Sequence, residues 1–178
     1  MQEECVMKAW LKSFLKYLRG DEVRYRIGHG TMLWYPQLSN IGTCSIGRNC
    51  TIHSHVWIGD GVIIGNNVSI QAFSFIPPKV MIYDNVFIGP RVTFTNDKQL
   101  IPGNRNWLTT RVREGARIGA GCVILPGITI GKNALIGAGS VVTKCVPDGE
   151  TWVGNPARRI NYPTEHEWSE ELRHFETQ

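Results

Sequence analysis

The sequence lacks any long apolar run. No stretch of its 178 residues approaches the eighteen or more that a membrane span requires, and the N-terminus carries no uninterrupted apolar signal segment. It also lacks a stripe of one charge, since 19 Lys and Arg residues against 15 Asp and Glu residues give a net charge of +4 from scattered positions. This balance suits an anionic small ligand better than a nucleic-acid track. We therefore expect a cytoplasmic protein with no nucleic-acid partner and no stable membrane insertion.

A large apolar residue recurs at every sixth position. The two runs are Ile46, Ile52, Ile58, Ile64, Ile70, Ile76, Ile82, Ile88, Phe94 and then Val112, Ile118, Ile124, Ile130, Ile136, Val142. A second register, four residues after each of these, holds smaller residues from Cys50 to Val146. A period of six fits neither a helix at about 3.6 nor a strand at about 2, and it predicts a short strand plus a bend, repeated.

Repeats of this length indicate a solenoid, in which each unit buries its apolar residues by stacking on its neighbours. With three hexads per turn, residues eighteen apart stack at roughly 4.8 Å, the strand spacing. Ile46, Ile64 and Ile82 form one such column. We predict an all-β solenoid, a parallel β-helix that forms one domain over residues 27–160. Function must then lie on its outside or between subunits.

Cysteine is sparse and odd in number, because five residues leave one unpaired. Cys44, Cys50 and Cys122 all fall in the small inward register. We interpret them as reduced core residues, which agrees with a cytoplasmic protein.

The inward pattern fails between Phe94 and Val112, yet its phase is unchanged when it resumes eighteen residues later. Pro102 and Gly103 are turn formers rather than inward residues. We predict a loop of about a dozen residues, at about 97–111, ejected from the prism, with an extra irregular coil as the alternative. Loops this long in compact domains are usually functional.

Helical patterns occupy both ends of the chain. An amphipathic helix is predicted within residues 1–26, with apolar Trp10 and Phe14 at helical spacing. A second helix is predicted within residues 161–178, where Thr164 and Glu167 form a capping box. We expect both to pack on an end of the prism or on another subunit, and a membrane-surface role for the first helix is the alternative.

The hexads, the segment IGAGSVVTKCVP at 136–147 and the segment VGNPARRI at 153–160 resemble the hexapeptide-repeat acyltransferases. The resemblance covers roughly residues 41 to 160. It implies a left-handed β-helix, a homotrimer and acetyl-CoA as cosubstrate, with no metal.

Within that superfamily, residues 70–97 are most similar to the N-acetyltransferases of nucleotide-linked amino sugars. In the enzymes that make 3-acetamido sugars, an Asn in an FTN motif lies against the sugar amine, and Asn96 matches it. Related 4-amino-sugar enzymes carry a His followed by an acidic residue as general base, where this chain has Asn96 and Asp97. The resemblance implies acetylation of the amine of a UDP- or dTDP-linked amino deoxy sugar, for surface polysaccharide or glycan biosynthesis.

The residue chemistry limits what this pair can do. An amine that attacks a thioester needs a free lone pair, close alignment and an eventual proton acceptor. Asn96 can align the amine but cannot take its proton. Asp97 could be the base, but carboxylates are ordinarily too acidic for this task, so we favour an amine that arrives neutral and loses its proton to water or to the departing thiolate. A plain turn is the alternative for both residues.

The remaining candidate site residues fall into two groups. Candidate contacts to the acceptor are His55, Gln71, Arg91, Arg105 and Arg111. For the coenzyme, the basic candidates for phosphate binding are Lys144, Arg158 and Arg159, and the small residues that would admit a pantetheine arm are Gly137, Ala138 and Gly139. The resemblance adds Asn155, Pro156 and Ala157 as part of the family's CoA-side signature.

A zinc site is the main alternative from another class of function. His53 and His55 could share a strand face, but no third ligand is evident unless His29 or a neighbouring subunit supplies it, as in the trimeric β-helical carbonic anhydrases. A surface role or hydrogen bonding in a subunit groove is the simpler interpretation of both histidines. The alternatives are thus a sugar O-acetyltransferase, a zinc-dependent carbonic-anhydrase-like lyase and a non-catalytic scaffold.

Overall fold

A computed structural model describes residues 25–99 and 106–161. Twenty short strands wind into three sheets. Sheet A contains β1 (Tyr25–Ile27), β4 (Cys44–Ile46), β7 (Ile63–Ile64), β10 (Val80–Ile82), β13 (Thr110–Val112) and β16 (Thr129–Ile130). Sheet B contains β2 (Met32–Leu33), β5 (Thr51–Ile52), β8 (Ser69–Ile70), β11 (Phe87–Ile88), β14 (Arg117–Ile118), β17 (Leu135–Ile136), β19 (Thr151–Val153) and β20 (Arg158–Ile160). Sheet C contains β3 (Asn40–Ile41), β6 (Trp57–Ile58), β9 (Phe75–Ile76), β12 (Thr93–Phe94), β15 (Val123–Ile124) and β18 (Val141–Val142).

Each sheet is one wall of a three-sided prism, and the chain visits the walls in the order A, B, C. Ile46 pairs with Ile64 and Ile64 with Ile82, which is the column that the hexad period predicts. Every strand pairing among the described residues is parallel except that of β19 with β20. The predicted left-handed parallel β-helix is confirmed.

The two inward registers form the core. The large residues from Ile52 to Ile136 are almost all fully buried, and each contributes about 1.5–3 kcal/mol by leaving water. Polar residues in the small register are satisfied: the Ser74 hydroxyl donates to the Gly89 carbonyl at 3.0 Å. Burial raises the pKa of Cys44 to about 11, so that thiol stays protonated at neutral pH, as expected of a reduced core cysteine.

The loop is confirmed by the pairing register. Val80 pairs with Thr110, and Thr93 with Val123, so partners across the loop are thirty residues apart instead of eighteen. Twelve extra residues are thus inserted without a change in the phase of the prism. β12 ends at Phe94 and β13 begins at Thr110, so the insertion lies between these strands and ends two residues before the predicted 111.

The two ends of the loop, which we term its roots, both contact the segment formed by β15 and the turn that follows it. The Thr95 amide and hydroxyl both donate to the Ile124 carbonyl, at 2.9 and 3.2 Å. At the other root, the Gly127 amide donates to the Thr110 hydroxyl at 3.0 Å. Leu108 packs over Gly127 so closely that a Cβ there would lie 2.9 Å from the Leu108 Cδ1. These contacts fix the positions of both ends of the loop on the prism.

The terminal helices lie outside the described residues. The first described strand of the β-helix begins at Tyr25, two residues before the predicted boundary at 27. No helix in the part of the chain that the structure describes is long and apolar enough to cross a membrane.

Left-handed backbone marks the corners of the prism. The residue before each small inward residue generally has a positive φ, and most such positions carry the residues that tolerate it: Asn49, Gly61, Asn67, Asn85, Gly115, Gly121, Gly127, Asn133 and Gly139. Five positive-φ residues are neither Asn nor Gly: Tyr35, His55, Phe73, Lys79 and Arg91. For such residues this conformation costs on the order of 1–2 kcal/mol. All except Lys79 lie between a strand of sheet B and the following strand of sheet C.

Candidate functional site

The corner between sheets B and C, which we term the B–C corner, gathers most of the predicted site residues. It is formed by residues 53–56, 71–74, 89–92, 119–122 and 137–140, stacked one above another. Backbone hydrogen bonds tie the stack together: the amide of Arg91 donates to Ala72, that of Gly121 to Pro90 and that of Gly139 to Ala120. The predicted acceptor residues His55, Gln71 and Arg91 and the predicted coenzyme residues 137–139 thus share one edge of the prism.

Aromatic rings cover the lower part of this corner. His55 stacks on Phe73 with ring centroids 4.6 Å apart and an interplanar angle of 19°. On the adjoining edge of sheet C, Trp57 stacks on Phe75 with the same separation. Phe73 remains 56% exposed and Phe75 38% exposed, so both rings present faces or edges to solvent.

The sequence-based prediction missed Trp57, Phe73 and Phe75. Their outward positions follow no apolar period, so the core pattern does not identify them. The signal that could have found them is the spacing of eighteen residues between His55 and Phe73 and between Trp57 and Phe75, which stacks the members of each pair.

The middle and upper coils of the corner carry polar residues and glycines instead of aromatic rings. Arg91 is exposed at its left-handed position, directly above Phe73 in the stack. Gln71 is half-buried, and its amide donates to the Ser69 hydroxyl at 3.0 Å. Above Arg91 the left-handed positions are Gly121 and Gly139, where a Cβ would meet nothing within 4 Å. A side chain at either position would therefore extend into open space.

A hairpin covers the top of the B–C corner. Residues 154–157 connect β19 to β20, and the Val141 amide donates to the Gly154 carbonyl at 2.9 Å while the Ala157 amide donates to the Val141 carbonyl at 2.8 Å. Ala157 is fully buried, whereas Asn155, Pro156 and Arg158 are exposed. The Asn155–Pro156 peptide bond is cis.

Glu150 stabilises this hairpin through two side-chain contacts. Glu150 accepts from the Trp152 indole at 2.8 Å and forms an ion pair with Arg159 at 3.4 Å. Of the predicted phosphate-binding residues, Arg159 therefore already has a carboxylate partner, which makes it a weaker candidate than Arg158.

Three other predicted residues lie at the opposite edge of sheet C. Asn96 and Asp97 follow β12 at the corner between sheets C and A, and Lys144 occupies the equivalent corner after β18. Both loop residues are half-buried, and the Asp97 carboxylate accepts the Gln99 amide at 2.8 Å. Arg111 projects from sheet A, in register with Met81 and Thr129. Arg105 lies outside the described residues.

One chain therefore does not bring all of the predicted site together. The width of sheet C separates Asn96 and Asp97 from His55 and Arg91. Among residues 25–99 and 106–161, no group of three or more His, Cys, Asp or Glu residues is placed to hold a metal ion. His53 and His55 stack on different rings, Trp34 and Phe73.

Comparison with known proteins identifies the repeats. Residues 109–144 match the bacterial transferase hexapeptide family (six repeats), and residues 43–72 match the hexapeptide repeat of succinyl-transferase. The galactoside O-acetyltransferase of Lactococcus lactis is 32% identical, over 65% of this chain and 63% of that protein. The serine acetyltransferase of Salmonella typhimurium is 34% identical, over 84% of this chain and 54% of that protein. The chain thus spans less than two thirds of the length of these relatives.

Similarity to a solved structure supports the same fold. AntD, an N-acyltransferase from Bacillus cereus crystallised with dTDP-4-amino-4,6-dideoxyglucose and coenzyme A, superposes with a TM-score of 0.71. Sequence identity is 22%, and the match covers 92% of this chain and 97% of that one. The matches at 43–72 and 109–144 show that the chain carries hexapeptide repeats, and the superposition shows the left-handed β-helix fold.

Proposed function

We propose that this chain is an acetyl-CoA-dependent N-acetyltransferase that acts on the amine of a nucleotide-linked amino deoxy sugar. The observation that carries the proposal is the alignment along the B–C corner. Acceptor candidates His55, Gln71 and Arg91 lie below, and coenzyme candidates 137–139 and 154–158 lie above. The nearest members, Arg91 and Gly137, are 46 residues apart in sequence but only two coils apart along the corner, and adjacent coils are one strand spacing apart.

The geometry of the corner suits two elongated anionic ligands that approach from opposite ends. The bare backbone at Gly121 and Gly139 would admit a narrow chain such as pantetheine. The exposed Arg158 at the top would bind phosphate groups of the coenzyme. Arg91, below the glycines, would then meet the acceptor rather than the coenzyme.

Asn96 is assigned to align the amine, and Asp97 to shape the turn that presents it. The side-chain amide of Asn96 offers an acceptor for an amine N–H and donors for a nearby oxygen. The Asp97 carboxylate accepts the Gln99 amide, which orders the turn in which both residues lie. The neutral amine attacks the thioester carbonyl, and collapse of the tetrahedral intermediate forms the amide and releases the CoA thiolate, which accepts the proton directly or through water.

A neighbouring subunit is needed to bring Asn96 to this corner. Because sheet C separates Asn96 from Arg91 within one chain, one site can use both only if a second copy places its corner between sheets C and A beside the first copy's B–C corner. A closed trimer supplies three such grooves by one repeated contact, and the second wall excludes water from the thioester.

We therefore expect a homotrimer in solution, with three times the chain mass of 20.0 kDa by light scattering at assay concentration. A monomeric mass under conditions that support full activity would contradict a site shared between subunits.

O-acetylation of a sugar is the second candidate function. It is favoured by the 32% identity to the galactoside O-acetyltransferase of Lactococcus lactis. A hydroxyl is a much poorer nucleophile than a neutral amine and needs a general base, which in hydroxyl-directed enzymes is commonly a histidine. The turn at the loop entrance offers Asn96 and Asp97 instead. On the B–C corner that would face this turn, His55 lies two coils below Arg91 and stacks on Phe73.

An acceptor panel tests the proposal. CoA release from acetyl-CoA should be measured with UDP- and dTDP-linked 3-amino and 4-amino deoxy sugars, with the same nucleotide sugars carrying hydroxyl groups, and with a free galactoside and serine. We expect release only with amino acceptors that carry a nucleotide. Turnover of the galactoside or serine, together with no turnover of any amino sugar nucleotide, would overturn it.

A further inference from the structure

The B–C corner keeps costly backbone conformations on consecutive coils. The left-handed positions of the B–C corner carry His55, Phe73 and Arg91, with φ values of 59°, 64° and 58°. The equivalent positions of the corner between sheets A and B carry Asn49, Asn67 and Asn85. Asn and Gly adopt this conformation with little strain, whereas aromatic and long side chains do not. Because this backbone strain is concentrated in one stack of residues, it indicates that their side chains have a function.

These side chains form a flat apolar surface with a cation above it. Phe73 stacks on His55 at 4.6 Å and remains 56% exposed. Phe75, two residues after Phe73 on the same coil, stacks on Trp57 with the ring centroids 4.6 Å apart. Arg91 follows one coil above Phe73, a rise of about 4.8 Å, the ordinary strand spacing.

We propose that this surface binds the nucleoside diphosphate half of the acceptor, with the base stacked on Phe73 and a phosphate on the Arg91 guanidinium. The inference rests on the proposed function, because it assigns a part of the same acceptor to named residues. An aromatic ring binds any base through its π-face. A guanidinium matches phosphate oxygens in geometry and charge, so the adjacent Arg91 favours a nucleotide over an uncharged apolar partner.

The order of residues along the corner also fixes the direction of the acceptor. The base lies lowest, at Phe73, and the diphosphate lies at Arg91. The sugar then points upward, toward the open positions at Gly121 and Gly139 that are assigned to the coenzyme. The reacting ends of the two substrates meet above Arg91.

Phe73 is tested by binding of dTDP and UDP, measured by calorimetry on the full chain. Phe73→Leu keeps an apolar side chain but removes the ring, and it should weaken binding of the preferred nucleotide by about tenfold or more. Phe73→Trp keeps a stacking surface and should retain binding. Phe87→Leu is the matched control, since Phe87 is an exposed phenylalanine on sheet B at 39% exposure, and it should leave the affinity unchanged.

Arg91 is tested together with its own matched control, Lys79. Both are exposed cations at left-handed positions, with φ of 58° and 70°, but Lys79 lies at the corner between sheets C and A. Relief of the backbone strain should raise the Tm of Arg91→Asn and of Lys79→Asn alike, by about 2–4 °C for a chain of this size. Only Arg91→Asn should weaken nucleotide binding, by about tenfold or more, and it should reduce the salt dependence of the affinity.

The outcomes separate this inference from the proposed function. Absence of dTDP and UDP binding by the parent chain, or unchanged affinity in both Phe73→Leu and Arg91→Asn, overturns the nucleotide subsite even if acetyl transfer proceeds. A fall in mass of Phe73→Leu by light scattering also overturns it, because the aromatic surface would then hold a second copy of the chain. If binding depends on Phe73 and Arg91 but no nucleotide-linked amino sugar is acetylated, the subsite stands and the proposed function falls.

Discussion

Asn96→Ala should lower kcat/KM for the amino sugar nucleotide by on the order of 10 to 1,000-fold, the range for losing one or two well-placed hydrogen bonds in the transition state. The loss should appear mainly in kcat, because the amide aligns the reacting amine and not the nucleotide. CoA affinity should stay nearly unchanged, since the coenzyme candidates lie above on the B–C corner. Steady-state kinetics and CoA calorimetry on the same preparation measure both quantities.

Asn40→Ala is the matched control for this substitution. Asn40 is an exposed asparagine on the same sheet as the strand that leads to Asn96, three coils lower, and no role is assigned to it. Its replacement should leave kcat/KM at the parental value. Parental activity in Asn96→Ala would place the reacting amine elsewhere on the prism.

The companion variant Asp97→Asn distinguishes the two routes for the proton. If the amine arrives neutral, this variant should retain substantial activity and still form the turn, because an asparagine oxygen can accept the Gln99 amide as the carboxylate does. The rate of the parent should rise with pH as the acceptor amine loses its proton, and should follow the pKa of the acceptor. Abolished turnover in Asp97→Asn, with Asn96→Ala active, would instead make Asp97 the base.

Ile118→Ala should lower the free energy of unfolding by about 2–5 kcal/mol, the range for truncating a large residue in a packed core. Ile118 is 0% exposed and lies in the middle of sheet B, between Ile88 and Ile136. In a solenoid each coil rests only on its neighbours, so a cavity there weakens two interfaces at once. Urea denaturation at one fixed protein concentration measures the change, because subunit association also contributes to stability.

Ile63→Ala serves as the comparison for this core substitution. Ile63 adjoins the inward Ile64 but points outward and is 49% exposed. Its truncation should cost much less than that of Ile118. Equal losses in the two variants would mean that Ile63 is also buried, by a neighbouring subunit.

The sequence determines the prism because its constraint is periodic. Each inward residue must stack on another eighteen positions away, so one misplaced hexad would expose a whole column; the pairing of Ile46 with Ile64 and of Ile64 with Ile82 follows directly. The turn formers Pro102 and Gly103 favour an ejected loop over an irregular coil, since a coil of eighteen residues would also keep the register of Val112. The predicted last residue of the loop, 111, is two residues too late because Thr110 and Arg111 already pair with β10.

The candidate site was less accessible to sequence analysis because outward residues follow no period. Phe73 and Phe75 could belong to any exposed surface until the fold stacks them on His55 and Trp57. The hairpin at 154–157 depends on β20 turning back antiparallel to β19, a contact that no repeat encodes. The separation of Asn96 from Arg91 follows from the hexad count, because five residues along the chain place them at different corners.

The bond formed in the product tests the central claim most directly. After reaction with acetyl-CoA and the preferred amino sugar nucleotide, the account predicts one acetamide per CoA released, identified by NMR and resistant to neutral hydroxylamine, which cleaves acetyl esters. A hydroxylamine-labile acetyl group on a sugar hydroxyl, with the amine still free, would contradict it.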